Sequence, residues 1–149
     1  MDINVFCNKM DTKMDTASDV ITLLDILKGA IMNIGRRISR ILMLLGNQPS
    51  VKGYQYIKKG IAYCMRDPRS VTNLSQLLYP KLAEEFGTTS AAVERAARSA
   101  IKESWHRRDR ELSKEIFSNS LQGSDDIPSN SLYIAAVAEW LNDEEEKAF

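Results

Sequence analysis

The chain has 149 residues, 44% of them apolar, and its 20 basic side chains are matched by 20 acidic ones. That length supports one domain with an appended element, and that apolar fraction supports a packed core. The longest apolar run, Ile41 to Leu45, falls far short of the roughly 20 residues a spanning helix needs, and the N-terminus lacks the order of a secretory leader. With Cys7 and Cys64 far apart and outside any CxxC pattern, reduced thiols, a cytoplasmic location and no membrane partner are expected.

Residues 1–16 are polar and patternless and are expected to be disordered. From Ala17, with Thr16 or Ser18 as cap, the residues Val20, Leu24, Leu27, Ile31, Ile34, Ile38, Ile41 and Leu45 follow in alternating steps of four and three, a heptad seam. Gly29 and Gly35 weaken it, so one rod or two helices with a bend are both compatible with the pattern. Gly46, Asn47 and Pro49 end it. Val51 to Met65 reads as a helix with Tyr54, Ile57, Ile61 and Met65 inward. Val71 to Phe86 is helical, either kinked or divided at Pro80.

Gly87, Thr88 and Thr89 then read as a helix stop followed by a new N-cap. Val93, Ala97, Ala100, Ile101 and Ser104 recur at helical spacing and form a narrow apolar face, while Ala91, Arg95, Arg98 and Lys102 fall opposite. A helix entered by a tight turn, apolar on one side and arginine-bearing on the other, is what a helix-turn-helix places in a DNA groove. This helix is expected to end near Arg108. Glu111 to Phe117 is a short helix, Asn119 to Asn130 a loop, and Ser129 or Asn130 caps a last helix with Leu132, Ala135, Ala136, Val137 and Trp140 inward. No segment alternates with period two, so the fold class is all-α.

The neutral average hides a polarised molecule. Between Lys28 and Arg69 there are nine basic residues and one acid, Asp67, whereas Glu139 to the end carries five acids and one lysine. Such a chain attracts phosphate on one side without a high overall pI.

Three blocks carry a family likeness: V-K-G-Y-Q-Y-I-K-K-G-I (Val51 to Ile61), L-L-Y-P-K-L-A-E-E-F-G-T-T-S-A-A-V-E-R-A-A-R-S-A-I-K-E-S-W (Leu77 to Trp105) and P-S-N-S-L-Y-I-A-A-V-A-E-W-L (Pro128 to Leu141). In this order and spacing the chain resembles, from about Ile38 to Leu141, the DNA-binding effector domain of the stage-zero sporulation regulator A family. The resemblance implies a bundle of about six helices, here with an N-terminal helical extension, and a helix-turn-helix built from Leu77 to Phe86 and Thr89 to Arg107. It places Glu94, Arg95 and Arg98 toward DNA, and an arginine fork suits guanine O6 and N7.

Thr89 and Ser90 stand where a helix N-terminus offers donors to a phosphate, and Ser99, Lys102 and Lys52 are further candidates for the DNA backbone. Lys58, Lys59, Arg66 and Arg69 are equally compatible with a solvated surface. The resemblance also implies contact with the RNA polymerase sigma subunit through the region Glu111 to Gly123. The sequence departs from the family at Ser99, where histidine is usual, and at Arg108, where glycine is usual.

Nothing upstream of residue 38 resembles a phosphoacceptor receiver domain, so no phosphorylation switch is expected within this chain. Residues 17–37 are expected to cover the domain or to pair with a second chain, with a homodimer favoured because DNA readers gain from two half-sites; residues 38–145 form the DNA-binding domain. His106, the only histidine, has neither metal-ligand companions nor a nucleophile to serve, so no metal, cofactor or catalysis is expected. The rival reading is a small helical protein-interaction module or inhibitor, for example mobile-element encoded, to which the zero net charge and acidic tail are suited.

Overall fold

Leu24 and Leu42 belong to one helix but to different surroundings: Leu24 is half exposed at 50%, while Leu42 is fully buried. A computed structural model describes residues 17–117 and 126–147, the side chains of Ile31, Met32 and Val71 excepted. The expectations for residues 1–16 and for most of the Asn119–Asn130 loop lie outside these residues. Within them the chain is all-α, with α1 (Ala17–Leu44), α2 (Lys52–Arg66), α3 (Tyr79–Phe86), α4 (Ser90–Trp105), α5 (Arg110–Phe117) and α6 (Asn130–Lys147). No helix among them is long and apolar enough to cross a membrane.

The seam of α1 runs through both glycines without a break, so the extension and the first core helix are one helix of 28 residues. Its C-terminal half buries Ile38, Ile41 and Leu42, followed by Leu45, whereas Val20, Leu24 and Leu27 stay exposed. The stretch from Val20 to Leu27 therefore stays uncovered, while Ile34 packs against the core and Arg37 reaches Glu145 of α6.

Central to the fold is α2, which packs against α4 on one side and α6 on the other. Tyr54, Ile57 and Ile61 are buried as the spacing predicts, but so are Gly53, Tyr56, Gly60 and Cys64, while Met65 is only partly buried. The wider burial follows from position: a helix with neighbours on two sides hides more than one stripe, and its glycines let those neighbours approach.

The stretch expected as one kinked helix from Val71 to Phe86 divides further. A 3₁₀ turn (Pro68–Val71) capped by the Asp67 carboxylate precedes a π-helical turn (Leu74–Leu78) that runs into α3. Pro80 has no N–H to return to Gln76, and the ladder widens immediately before it, with Tyr79 N–H donating to the Leu74 carbonyl.

In α6 the expected inward face is rotated. Tyr133, Ile134, Val137, Ala138 and Leu141 are buried, whereas Leu132, Ala135, Ala136 and Trp140 are only partly so. Apolar residues surround this helix almost entirely, so periodicity alone did not select the face. Tyr133 joins Phe117 and Trp105 in an aromatic cluster with ring centroids 5.5 Å apart at each step. Its hydroxyl accepts from Asn47 Nδ2 at 2.8 Å, tying the end of α1 to α6.

Candidate nucleic-acid interface

Gly87 adopts φ 64°, the left-handed conformation that glycine enters without a Cβ penalty. Thr88 N–H returns to the Ala83 carbonyl at 2.9 Å and Gly87 N–H to Glu84 at 3.4 Å, which closes α3 with the paired bonds of a Schellman stop. Two residues later the Thr89 hydroxyl accepts from Ala92 N–H at 3.2 Å and opens α4. The stop and the cap foreseen in the sequence are both formed, and between them they fix the direction of α4 relative to α3.

The buried side of α4 consists of Val93, Ala97, Ala100, Ile101, Ser104 and Trp105. Small residues here let α2 approach closely: a Cβ on Gly53 would meet the Ala96 carbonyl and the Ala100 methyl. A second clamp comes from Asn130, whose Nδ2 donates to the Glu94 carbonyl at 3.1 Å and to the Tyr79 hydroxyl at 3.2 Å. This one side chain joins α3, α4 and the start of α6. Burial pushes the Tyr79 phenol pKa above its ordinary value and so favours the neutral hydroxyl. Ser129, not Asn130, caps α6, accepting from Leu132 N–H at 3.2 Å.

With one side held in this way, the other is left open. Ala91, Glu94, Arg95, Arg98, Ser99 and Lys102 are exposed along α4, with Thr89 exposed and Ser90 half-buried at its start. Lys52 is exposed at the start of α2, the helix packed against α4. Arg95, Arg98, Lys102 and Lys52 make no ion pair among the described residues, so their charge faces solvent uncompensated. Parts of the basic surface elsewhere are engaged: Lys59 pairs with Glu85 at 2.8 Å and Arg69 with Asp67 at 3.0 Å, while Arg66 lies over the Tyr63 ring. Tyr63 also donates to Glu85 at 2.7 Å, a bond that holds the Tyr63 phenol above its usual range, while Lys59 first and Tyr63 second hold the Glu85 carboxyl below its own.

At the far end of α4 the chain turns under a buried cation. Arg108 stacks over the Trp105 ring at 4.2 Å, donates to the Trp105 carbonyl at 2.6 Å and reaches Ser113 Oγ at 3.2 Å. In the sequence Arg108 stands out as the expected helix end and as a departure from glycine; the aromatic ring three residues earlier is the signal of its stacked position. Regular helix ends at Trp105, three residues before the expected limit. His106 is exposed, and no three His, Cys, Asp or Glu side chains among the described residues gather as a metal site.

Two helices joined by a glycine turn, the second buried on its small-residue side and cationic on its open side, define the helix-turn-helix class of DNA-binding domains. Residues 38–141 match the family described as Sporulation initiation factor Spo0A C terminal, and the chain belongs to that family. That family is a DNA-binding, regulatory domain.

Proposed function

We propose that this protein is a sequence-specific double-stranded DNA-binding transcription regulator that acts as a cytoplasmic homodimer, with α4 in the major groove. The observation that carries this reading is the open face of α4, where Arg95 and Arg98 lie without ion-pair partners on a helix anchored from behind. Arg95 and Arg98 read base edges, with Glu94 beside them to accept from a base amine. Thr89, Ser90, Ser99, Lys102 and Lys52 hold the phosphate backbone and set the register. Residues 17–37 form a helix rather than part of an α/β receiver, which supports regulation without a phosphoacceptor in this segment. Exposed Glu111, Lys114 and Glu115 on α5 offer a mixed-charge surface for the RNA polymerase sigma subunit.

Selection from a random-sequence duplex pool tests this reading directly. An enriched site, together with weak and salt-sensitive binding to random duplex, supports it. Absence of any duplex binding at low salt overturns it in favour of the second reading, a helical protein-interaction module. That reading draws on one observation, the exposed apolar stripe Val20, Ile21, Leu24 and Leu27.

A further inference from the structure

We infer that Asn130 is a positioning residue for base reading: through the Glu94 carbonyl it fixes how α4 presents Glu94, Arg95 and Arg98 to a base pair, an inference that rests on the DNA-binding reading above. Asn130 is the first residue of α6 and is 5% exposed. Its Nδ2 group has two hydrogens and two acceptors to meet them, the Tyr79 hydroxyl at 3.2 Å and the Glu94 carbonyl at 3.1 Å. Capping does not account for this side chain, because Ser129 caps α6. Both donors of a buried amide therefore serve the helix-turn-helix and neither serves its own helix.

The point of contact is specific. Within a regular helix the Glu94 carbonyl also accepts from Arg98 N–H, so Asn130 holds the turn that carries Glu94, Arg95 and Arg98. Tyr79 ties in the other helix of the pair and is itself 5% exposed. Burial dominates the ionisation of its phenol, but Glu94 and Arg98 also act on it, in opposite senses, so its hydroxyl lies within electrostatic reach of the open face.

The rest of the seat is apolar. Gly53 lets α2 approach Ala96 and Ala100, and Val93 and Ala97 are buried beside them. Apolar contacts are non-directional: they set the separation of two helices more firmly than the roll or slide of one along the other. A hydrogen bond between a fixed donor and a fixed carbonyl is directional and removes that freedom. The donor here is fixed, because Tyr133 N–H returns to the Ser129 carbonyl at 2.9 Å and the buried Tyr133 hydroxyl accepts from Asn47. An arginine fork that meets guanine O6 and N7 together must be placed to within about 0.5 Å and 10–20°. Phosphate attraction has no such requirement, so slack in α4 removes specificity before it removes affinity for duplex in general.

The test compares Asn130→Ala and Tyr79→Phe with Leu141→Ala, a core truncation about 17 Å further along α6. Affinities of the full chain are measured for the selected duplex and for random duplex over a range of salt. Asn130→Ala should lower the ratio of preferred to random affinity by about tenfold or more, the worth of one arginine–guanine contact, and leave the salt slope on random duplex unchanged. Tyr79→Phe keeps the shape of the ring and removes one of the two acceptors; a fall of about threefold is expected. Leu141→Ala destabilises the same helix yet should keep the ratio within about twofold of wild type. Amide exchange gives an independent readout: at matched global stability, Arg98 N–H should exchange faster in Asn130→Ala than in Leu141→Ala.

An unchanged ratio in Asn130→Ala, or in Tyr79→Phe where the alanine variant does not fold, overturns the inference. So does an equal fall in Leu141→Ala, which would mean that any loosening of the core blunts base reading. A wild-type chain with no preference for any duplex overturns the DNA-binding reading instead. Exchange at Arg98 then decides the rest: faster exchange in Asn130→Ala leaves Asn130 as the seat of α4, and unaltered exchange removes it from that role too.

Discussion

Gly53 of α2 lies so close to Ala96 of α4 that a Cβ there would sit 2.7 Å from the Ala96 carbonyl carbon and 2.8 Å from the Ala100 methyl. Gly53→Ala therefore overpacks the contact that seats α4. The expected loss is about 1–3 kcal/mol of stability, although alanine gains up to about 1 kcal/mol over glycine in an unconstrained helix. Urea unfolding measures it, and a variant more stable than wild type would show that the two helices can separate without loss.

On the open face of α4 the two kinds of cation should separate experimentally. Arg95→Ala should weaken binding to the preferred site by about 1–3 kcal/mol and relax its specificity, because an arginine fork that reads a base is lost. Lys102→Ala should weaken preferred and random duplexes alike and reduce the slope of log affinity against log salt by about 1. If Arg95→Ala leaves the ratio of specific to random affinity unchanged, the base-reading role moves to another residue.

Thr89 holds the first turn of that helix through its hydroxyl, which accepts from Ala92 N–H. Thr89→Ala should cost about 0.5–2 kcal/mol in thermal or urea unfolding, and Thr89→Ser should recover most of it. Because the same hydroxyl proton is free to reach a phosphate, the serine variant should also keep DNA affinity that the alanine variant loses.

Arg108 makes up for its buried charge with the Trp105 carbonyl, the Trp105 ring and Ser113. Arg108→Ala removes these together and leaves an emptied site under the turn into α5; a loss of about 1–3 kcal/mol is expected. Tryptophan fluorescence should report the change, since the indole loses the cation over its face. A variant with wild-type stability and emission would show that the turn holds without it.

Burial pushes the Cys64 thiol up to about 11, from an ordinary value of 9.0, and nearby Asp67 adds to the shift. The folded protein thus favours the protonated thiol. Its contribution is fully present below pH 9, where both states keep the proton, and is lost as pH rises through 9 to about 11, because the unfolded chain ionises first. Cys64→Ala should flatten that part of the stability profile. An unchanged profile would assign the alkaline loss to other groups, such as Tyr133, whose phenol burial also raises.

Legibility in the sequence followed the range of the forces involved. The stop at Gly87 and the cap at Thr89 depend on a few adjacent residues, and both were readable. So was the division of α4 into a buried small-residue side and an exposed cationic side, because one period separates the two. The face of α6 was not, since its apolar residues run almost all the way round and only the position of α2, α4 and α5 chooses Tyr133 over Leu132. Nor was Asn130 readable as a clamp: its partners, Tyr79 and Glu94, lie 51 and 36 residues away.

By itself, then, the sequence determined the all-α class, the turn before α4 and which residues of that helix carry charge, because propensity, capping and periodicity act over one or two turns. Tertiary structure alone decided that Gly53 would be the seat of α4 and Arg108 the filling beneath its end. It also decided that Val20, Leu24 and Leu27 would remain uncovered while Ile38 and Leu45 on the same seam would not. The reason is physical: burial depends on what a distant part of the chain brings to a surface, and a heptad reads the same whether its partner is the protein's own core or another molecule.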